Sequence, residues 1–147
     1  MKYLQSPLQV VSGRFLHQSN GLEQSVRDSL QLLMDTPLGS LPIDPDYGFV
    51  FSTLRFEIFD ENEGTVFDSR DSRNPIYKKK VSGSSKNLQT FASDLKHSIE
   101  VYEPRLLSPK VVMNYRRDQR QVLVEITGLL GDTNEPFQYS NIINVWN

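Results

Sequence analysis

Residues 88–106 read LQTFASDLKHSIEVYEPRL and contain the most regular pattern in the chain. Apolar side chains recur every three or four residues from Leu88 to Tyr102, which is the spacing of one face of an α-helix. Pro104 cannot continue a helix, because it lacks a backbone N–H and its ring clashes with the preceding turn. The stretch therefore predicts an amphipathic helix, capped near Ser85, that ends in a corner at residues 103–106.

The apolar stripe of this helix has two interpretations, a partner-binding face or one wall of the protein's own core. The core interpretation is favoured, because an amphipathic helix most often buries its apolar face within its own domain. Tyr102, beside the corner, is the member expected to depart from it. The stripe consists of Leu88, Phe91, Ala92, Leu95, Ile99 and Tyr102.

The chain after the corner predicts β-structure. Residues 110–115 and 121–128 flank a polar turn at 116–120, and apolar residues alternate with polar ones from Val122 to Ile126, as in a strand with one buried face. A turn at 132–136 leads to a last strand from Phe137 to Trp146. Two main helices followed by a three-stranded antiparallel meander predict a single α+β domain.

The first 50 residues predict a short strand or extended arm, a helix and a stiff loop. Residues 9–16 mix β-branched and aromatic side chains. Asn20 and Glu23 resemble a capping box, and helical spacing follows from Leu22 to Asp35. Pro37 and Gly39 end this helix, and the loop that follows contains two more prolines before Tyr47-Gly48.

Residues 50–85 are interpreted as an insertion within the domain at 1–147. Their aromatic start suggests a strand pair or partial cover for the core, whereas residues 60–72 are acidic and residues 78–85 resemble a solvated linker.

Composition excludes several classes of protein. A length of 147 residues fits one domain, and an apolar share of 37% is too high for a disordered chain. A formal charge of −2 argues against nucleic acid as the main partner. The absence of cysteine excludes disulfides and Cys-ligated zinc. No apolar run is long enough for a signal peptide or membrane span, so no membrane insertion is expected.

Residues 36–48 end in PDYG, and residues 99–106 read IEVYEPRL. These two segments resemble the small baseplate-wedge subunit family of contractile injection systems, which includes the tail-lysozyme-like baseplate protein of contractile phages and TssE of type VI secretion. The order of helix, aromatic-glycine loop, amphipathic helix, Glu-Pro-Arg corner and strand hairpin is reproduced over residues 20–48 and 86–147. The loop at 37–46 departs from the family because it lacks basic residues.

The resemblance implies a structural protein that docks on a wedge core bundle of TssF- and TssG-like subunits. The residues assigned to that contact are Tyr102, Glu103, Pro104, Arg105, Tyr47 and Gly48. Arg105 offers a planar fork of donors, and Arg105→Ala is expected to block assembly while the domain stays folded. Tyr47-Gly48 is divided between a turn packed on the domain and an exposed contact.

The resemblance also implies that the terminal sheet accepts strands from the first sheath ring, although an ordinary protected edge remains the alternative. The residues assigned to this pairing are Tyr139, Ile142, Ile143, Val145 and Trp146. Deleting residues 139–147 is expected to block sheath nucleation and leave the fold intact. Assembly is expected in the cytoplasm, as part of a large symmetric hetero-assembly.

The competing hypothesis is a peptidoglycan-degrading, lysozyme-like tail enzyme, which needs two carboxylates across a cleft. Asp94, Glu100 and Glu103 are the nearest candidates, but they are interpreted as surface charge, and Glu103 more simply as paired with Arg105 or with a partner protein. No catalytic, metal or cofactor residue is assigned, since His17 and His97 are isolated and no phosphate loop or serine elbow occurs. The hairpin tip at Arg116, Arg117 and Arg120 is interpreted as a solvated turn. A general adaptor outside any injection machine is a third hypothesis.

Overall fold

The structure, a computed structural model, describes residues 3–4, 8–16, 21–49, 66–68, 88–116 and 118–144. Within these ranges the chain forms helices and antiparallel sheets, so the predicted α+β class is confirmed. In chain order the elements are β1 Val10–Val11, β2 Arg14–Phe15, α1 Gly21–Asp35, β3 Val66–Asp68, α2 Leu88–Tyr102, β4 Leu106–Arg116, β5 Gln121–Leu130 and β6 Pro136–Asn144.

The larger sheet contains the predicted meander and one strand more. Its order is β3-β4-β5-β6, and every neighbouring pair is antiparallel. Strands β4, β5 and β6 are the expected meander, whereas β3 comes from residues 50–85 and pairs Val66 with Asn114 and Asp68 with Val112. Three residues are too few to show a period of two, which is why the sequence pattern does not predict β3.

Strand β4 begins at Leu106, four residues before the predicted start at Lys110. Its register with β5 shifts between Leu107 and Lys110, and Ser108 has a φ of 49°. The shift leaves two residues of β4 opposite one of β5, which is a β-bulge. Pro109 has no N–H for the ladder, and the bulge accommodates it within the strand.

The core lies between the two helices and one face of the larger sheet. Helix α1 contributes side chains at helical spacing, and the strands contribute every second residue. The predicted core role of the α2 stripe is confirmed, because four of its members are at most 4% exposed. The buried core residues of the helices are Val26, Leu30, Leu33, Met34, Phe91, Ala92, Leu95 and Ile99, and those of the meander include Val111, Met113, Tyr115, Val122, Val124, Ile126, Phe137 and Tyr139.

Residues 9–16, predicted as a short strand or an extended arm, form a small hairpin of two strands. Strands β1 and β2 pair antiparallel around Ser12 and Gly13, whose φ angles of 51° and 72° are those of a two-residue hairpin turn. The predicted caps Asn20 and Ser85 lie outside the described residues, as does His17. In the described part of the chain, neither helix has the length and apolarity that a membrane span requires.

Candidate functional site

The corner after α2 is a tight turn that connects the helix directly to β4. The backbone N–H of Glu103 still donates to the carbonyl of Ile99 at 2.8 Å, as it would inside a helix. Pro104 then ends the ladder, and the N–H of Leu106 donates to the carbonyl of Glu103 at 3.1 Å. Backbone hydrogen bonds therefore close the corner on both sides of an exposed proline.

Glu103 and Arg105 form an ion pair across this proline. Nε and Nη2 of Arg105 donate to Oε1 and Oε2 of Glu103, each at 2.6 Å. The backbone N–H of Arg105 adds a third donor to Oε1 at 3.3 Å. Glu103 is 1% exposed, whereas the Arg105 side chain is 35% exposed. The hydrogen bonds to Glu103 raise the pKa of Arg105, and the guanidinium holds a buried carboxylate in bidentate geometry.

This geometry bears on two expectations about the corner. Glu103 pairs with Arg105, one of the two partners expected for it, and its carboxylate is buried. Arg105→Ala is therefore not a neutral change for the fold, since it would leave a buried carboxylate without its counter-charge. The contact of Tyr102, Glu103, Pro104 and Arg105 with a wedge bundle stays a prediction.

Arg105 also joins the corner to three other parts of the chain. Its Nη1 donates to Oγ of Ser25 on α1 at 2.8 Å. Its guanidinium carbon lies 5.5 Å from the centre of the Tyr3 ring, and the Tyr3 hydroxyl donates to Asp132 at 2.9 Å. The Arg105 carbonyl accepts from the N–H of Gly131 at 2.8 Å. The corner is thus a junction of the N-terminal segment, α1, α2 and the β5–β6 turn.

Tyr47 packs against the end of α2. Its ring meets that of Tyr102 edge to face, with centroids 5.0 Å apart, and the Tyr102 hydroxyl donates to Oδ1 of Asp44 at 3.0 Å. Burial raises the pKa of Tyr47, and the negative charge of Glu103 raises that pKa further. The aromatic-glycine loop therefore lies directly beside the corner.

Gly48 is buried where the loop rejoins the end of α1. Its φ is 119°, and a Cβ at this position would lie 2.5 Å from the carbonyl oxygen of Thr36. The N–H of Phe49 donates to that same oxygen at 2.8 Å. Of the two alternatives for Tyr47-Gly48, the turn packed on the domain matches this geometry, and a direct partner contact by these residues stays a prediction.

Strand β6 is the outer strand of the larger sheet, and no described strand pairs with its other edge. Two of its predicted contact residues point inward, since Tyr139 is 7% exposed and Ile143 is partly buried against the core. The Tyr139 hydroxyl donates to the side chain of Gln31 on α1. Ile142 is 52% exposed, and Val145 and Trp146 lie outside the described residues.

The expected deletion of residues 139–147 would therefore not leave the fold intact. It removes buried Tyr139 and most of the ladder between β6 and β5. Pairing of β6 with a sheath strand stays a prediction that needs a less disruptive test.

The three carboxylates considered for sugar hydrolysis have separate environments. Glu103 is paired with Arg105, whereas Glu100 is exposed on α2 and lies 3.7 Å from Nζ of Lys96. Asp94 is half-buried six residues before Glu100. In the part of the chain that the structure describes, no three His, Asp or Glu side chains come together in a geometry that could hold a metal ion.

Sequence reasoning missed the contacts that join distant segments to the corner. Tyr3 and Asp132 are separated by 129 residues, and Ser25 and Arg105 by 80. No spacing rule links residues so far apart. It also missed an open groove of about 600 Å³ between α2, the bulge of β4 and β5. The groove is lined by Lys96, Glu100, Ser108, Pro109, Lys110, Thr127, Gly128 and Leu129.

Comparison with known proteins shows that this fold is similar to that of a protein described as belonging to a tail. No protein-family model matches the sequence, and no curated protein matches it. A crystal structure from Geobacter sulfurreducens, provisionally described as a tail lysozyme, matches with a TM-score of 0.58 and 19% sequence identity. The match covers 85% of this chain and 92% of that chain, so the similarity extends over nearly the whole fold.

Proposed function

We propose that this chain is a structural baseplate subunit of a contractile injection machine, which docks on the wedge core bundle through its corner and offers β6 to the first sheath ring. The observation that carries the proposal is the fold itself, because a protein described as belonging to a tail shares it over 85% of this chain. The Glu-Pro-Arg segment, on which the family resemblance partly rests, lies at the junction of four parts of this fold.

The geometry of the corner supports a docking role. The ion pair, the proline and the backbone hydrogen bonds hold the turn in one conformation, so a partner would meet a surface that loses little conformational entropy on binding. Two large apolar side chains on either side of the corner are exposed to solvent, Val101 at 54% and Leu107 at 41%. A partner that covers these two side chains would gain the free energy of burying their apolar surface.

The test is co-purification of this chain with the proteins encoded beside it in its genome. Val101→Glu combined with Leu107→Glu is expected to lower capture of the large wedge subunits about tenfold or more, because both charges would be buried in the contact. The matched control is Gln119→Glu at the exposed β4–β5 turn, roughly 30 Å away along β4. Normal capture by the double variant would contradict the docking site, and no capture by the unaltered chain would favour a general adaptor.

A peptidoglycan-degrading enzyme is the second candidate, supported by the description of the structural neighbour as a tail lysozyme. It predicts clearing of peptidoglycan in a zymogram by the unaltered chain and its loss in Glu100→Gln. A zymogram without clearing contradicts this candidate and leaves the structural proposal standing.

A further inference from the structure

The loop between α1 and Tyr47 exposes three large apolar side chains, which we name the apolar loop patch. These are Leu38 at 47% exposure, Leu41 at 37% and Ile43 at 94%. Leu41 and Ile43 lie at the tip of the loop, beyond a neck in which the N–H of Gly39 donates to the carbonyl of Pro45 at 3.0 Å. An isoleucine that is almost fully exposed on a loop tip is unfavourable for an isolated protein.

The loop that carries the patch is held in place at several points. The N–H of Leu38 donates to the carbonyl of Phe49 at 3.1 Å, which joins the two ends of the loop. The Tyr102 hydroxyl holds Asp44, the residue next to Ile43, at 3.0 Å. These hydrogen bonds fix the loop that carries the apolar side chains. A partner that covers them would therefore not have to order the loop first.

The segment of the chain that carries the patch is negatively charged. From Asp28 to Phe49, both included, the sequence contains four aspartates and neither lysine nor arginine. Asp35 and Asp46 are exposed on either side of the patch along the chain. The cation before this segment, Arg27, pairs with Glu23 at 2.8 Å. Charge complementarity therefore calls for a partner segment that is both apolar and basic.

We propose that the apolar loop patch binds an amphipathic helix of a partner protein, in which a row of apolar residues is flanked by lysines or arginines. Such a helix would cover the patch with its apolar row and place its cations against Asp35 and Asp46. The inference rests on the proposed function in one respect: the patch adjoins the corner through Asp44 and Tyr102, so the helix should belong to a wedge subunit.

The experiment places the photo-crosslinker p-benzoylphenylalanine at position 43 of the full chain in the cell that produces it. Irradiation is followed by mass spectrometry of the crosslinked peptide, and the same crosslinker at exposed Gln119 is the control. We expect a peptide with apolar residues at helical spacing and flanking lysines or arginines. Asp35→Asn combined with Asp46→Asn is expected to reduce its yield roughly fivefold.

The other possible results count either against this inference or against the proposed function. A yield no higher than at position 119, a crosslinked peptide without basic residues, a lipid adduct, or a yield unchanged in the double asparagine variant would overturn the inference. If the corner captures wedge subunits while position 43 fails to crosslink, only the inference is lost. A basic amphipathic peptide from a protein outside any baseplate would support the patch and count against the proposed function.

Discussion

Glu103 is a charged residue that is buried, and its need for a partner explains the Glu-Pro-Arg sequence. A buried carboxylate without a partner costs several kcal/mol, and the bidentate bond from Arg105 offsets that cost. Pro104 holds the two residues at the spacing that lets the pair close across the turn. The motif therefore has a structural role within the chain, in addition to the proposed docking role.

The contribution of this ion pair to stability can be tested by removing its arginine. Arg105→Ala should lower the free energy of unfolding by about 2–4 kcal/mol, less than for a fully buried pair because 35% of the Arg105 side chain is exposed. Urea denaturation followed by circular dichroism measures the loss. Glu103→Gln combined with Arg105→Ala should recover part of it, since the unpaired charge is gone. A loss below about 0.5 kcal/mol in the single variant would contradict the buried pair.

Among the helices and strands, the two helices with long periodic patterns were predicted correctly. Helix α1 was expected from Leu22 to Asp35 and spans Gly21–Asp35, and the α2 stripe is core as expected. The start of β4 was missed because Pro109 argues against a strand unless a bulge accommodates it. β3 was missed because three residues have no detectable period.

The candidate site was predictable only in its local part. The corner was expected from Pro104, and the pairing of Glu103 with Arg105 was anticipated as a short-range possibility. The burial of Glu103 was not anticipated, because it depends on packing around the corner rather than on neighbours in sequence. The same holds for Tyr3 above Arg105, since the two are brought together by the whole fold.

The loop between α1 and Tyr47 depends on one backbone position. Gly48→Ala should lower the free energy of unfolding by at least about 2 kcal/mol, because φ is 119° and the new Cβ would meet the Thr36 carbonyl oxygen at 2.5 Å. Gly39→Ala is the matched control, with a positive φ of 79° but open space around the added atom, and should cost about 1 kcal/mol. Equal losses in guanidinium denaturation would show that the close approach at Gly48 does not constrain the loop.

For the whole molecule, the proposed function uses two surfaces in different ways. The corner and the apolar loop patch adjoin each other through Tyr102 and Asp44. The outer edge of β6 lies on the far side of the meander from β3, with β4 and β5 between them. A protein that joins a baseplate to a sheath needs two such surfaces on one continuous core, so that movement at one is transmitted to the other.

The β6 edge gives the prediction that tests this arrangement. Ser140→Lys combined with Ile142→Lys places two charges on exposed side chains of the outer strand, where they disfavour pairing with an incoming strand. We expect roughly five- to thirtyfold fewer assembled sheaths, the effect of losing about 1–2 kcal/mol of cross-strand contact. Unfolding should change by less than about 0.5 kcal/mol, because neither side chain is in the core. Ser93→Lys combined with Gln119→Lys adds the same charge at exposed positions away from β6. Electron microscopy that finds the same number and length of sheaths in both variants would show that β6 does not template the sheath, since repulsion at a used edge must reduce initiation.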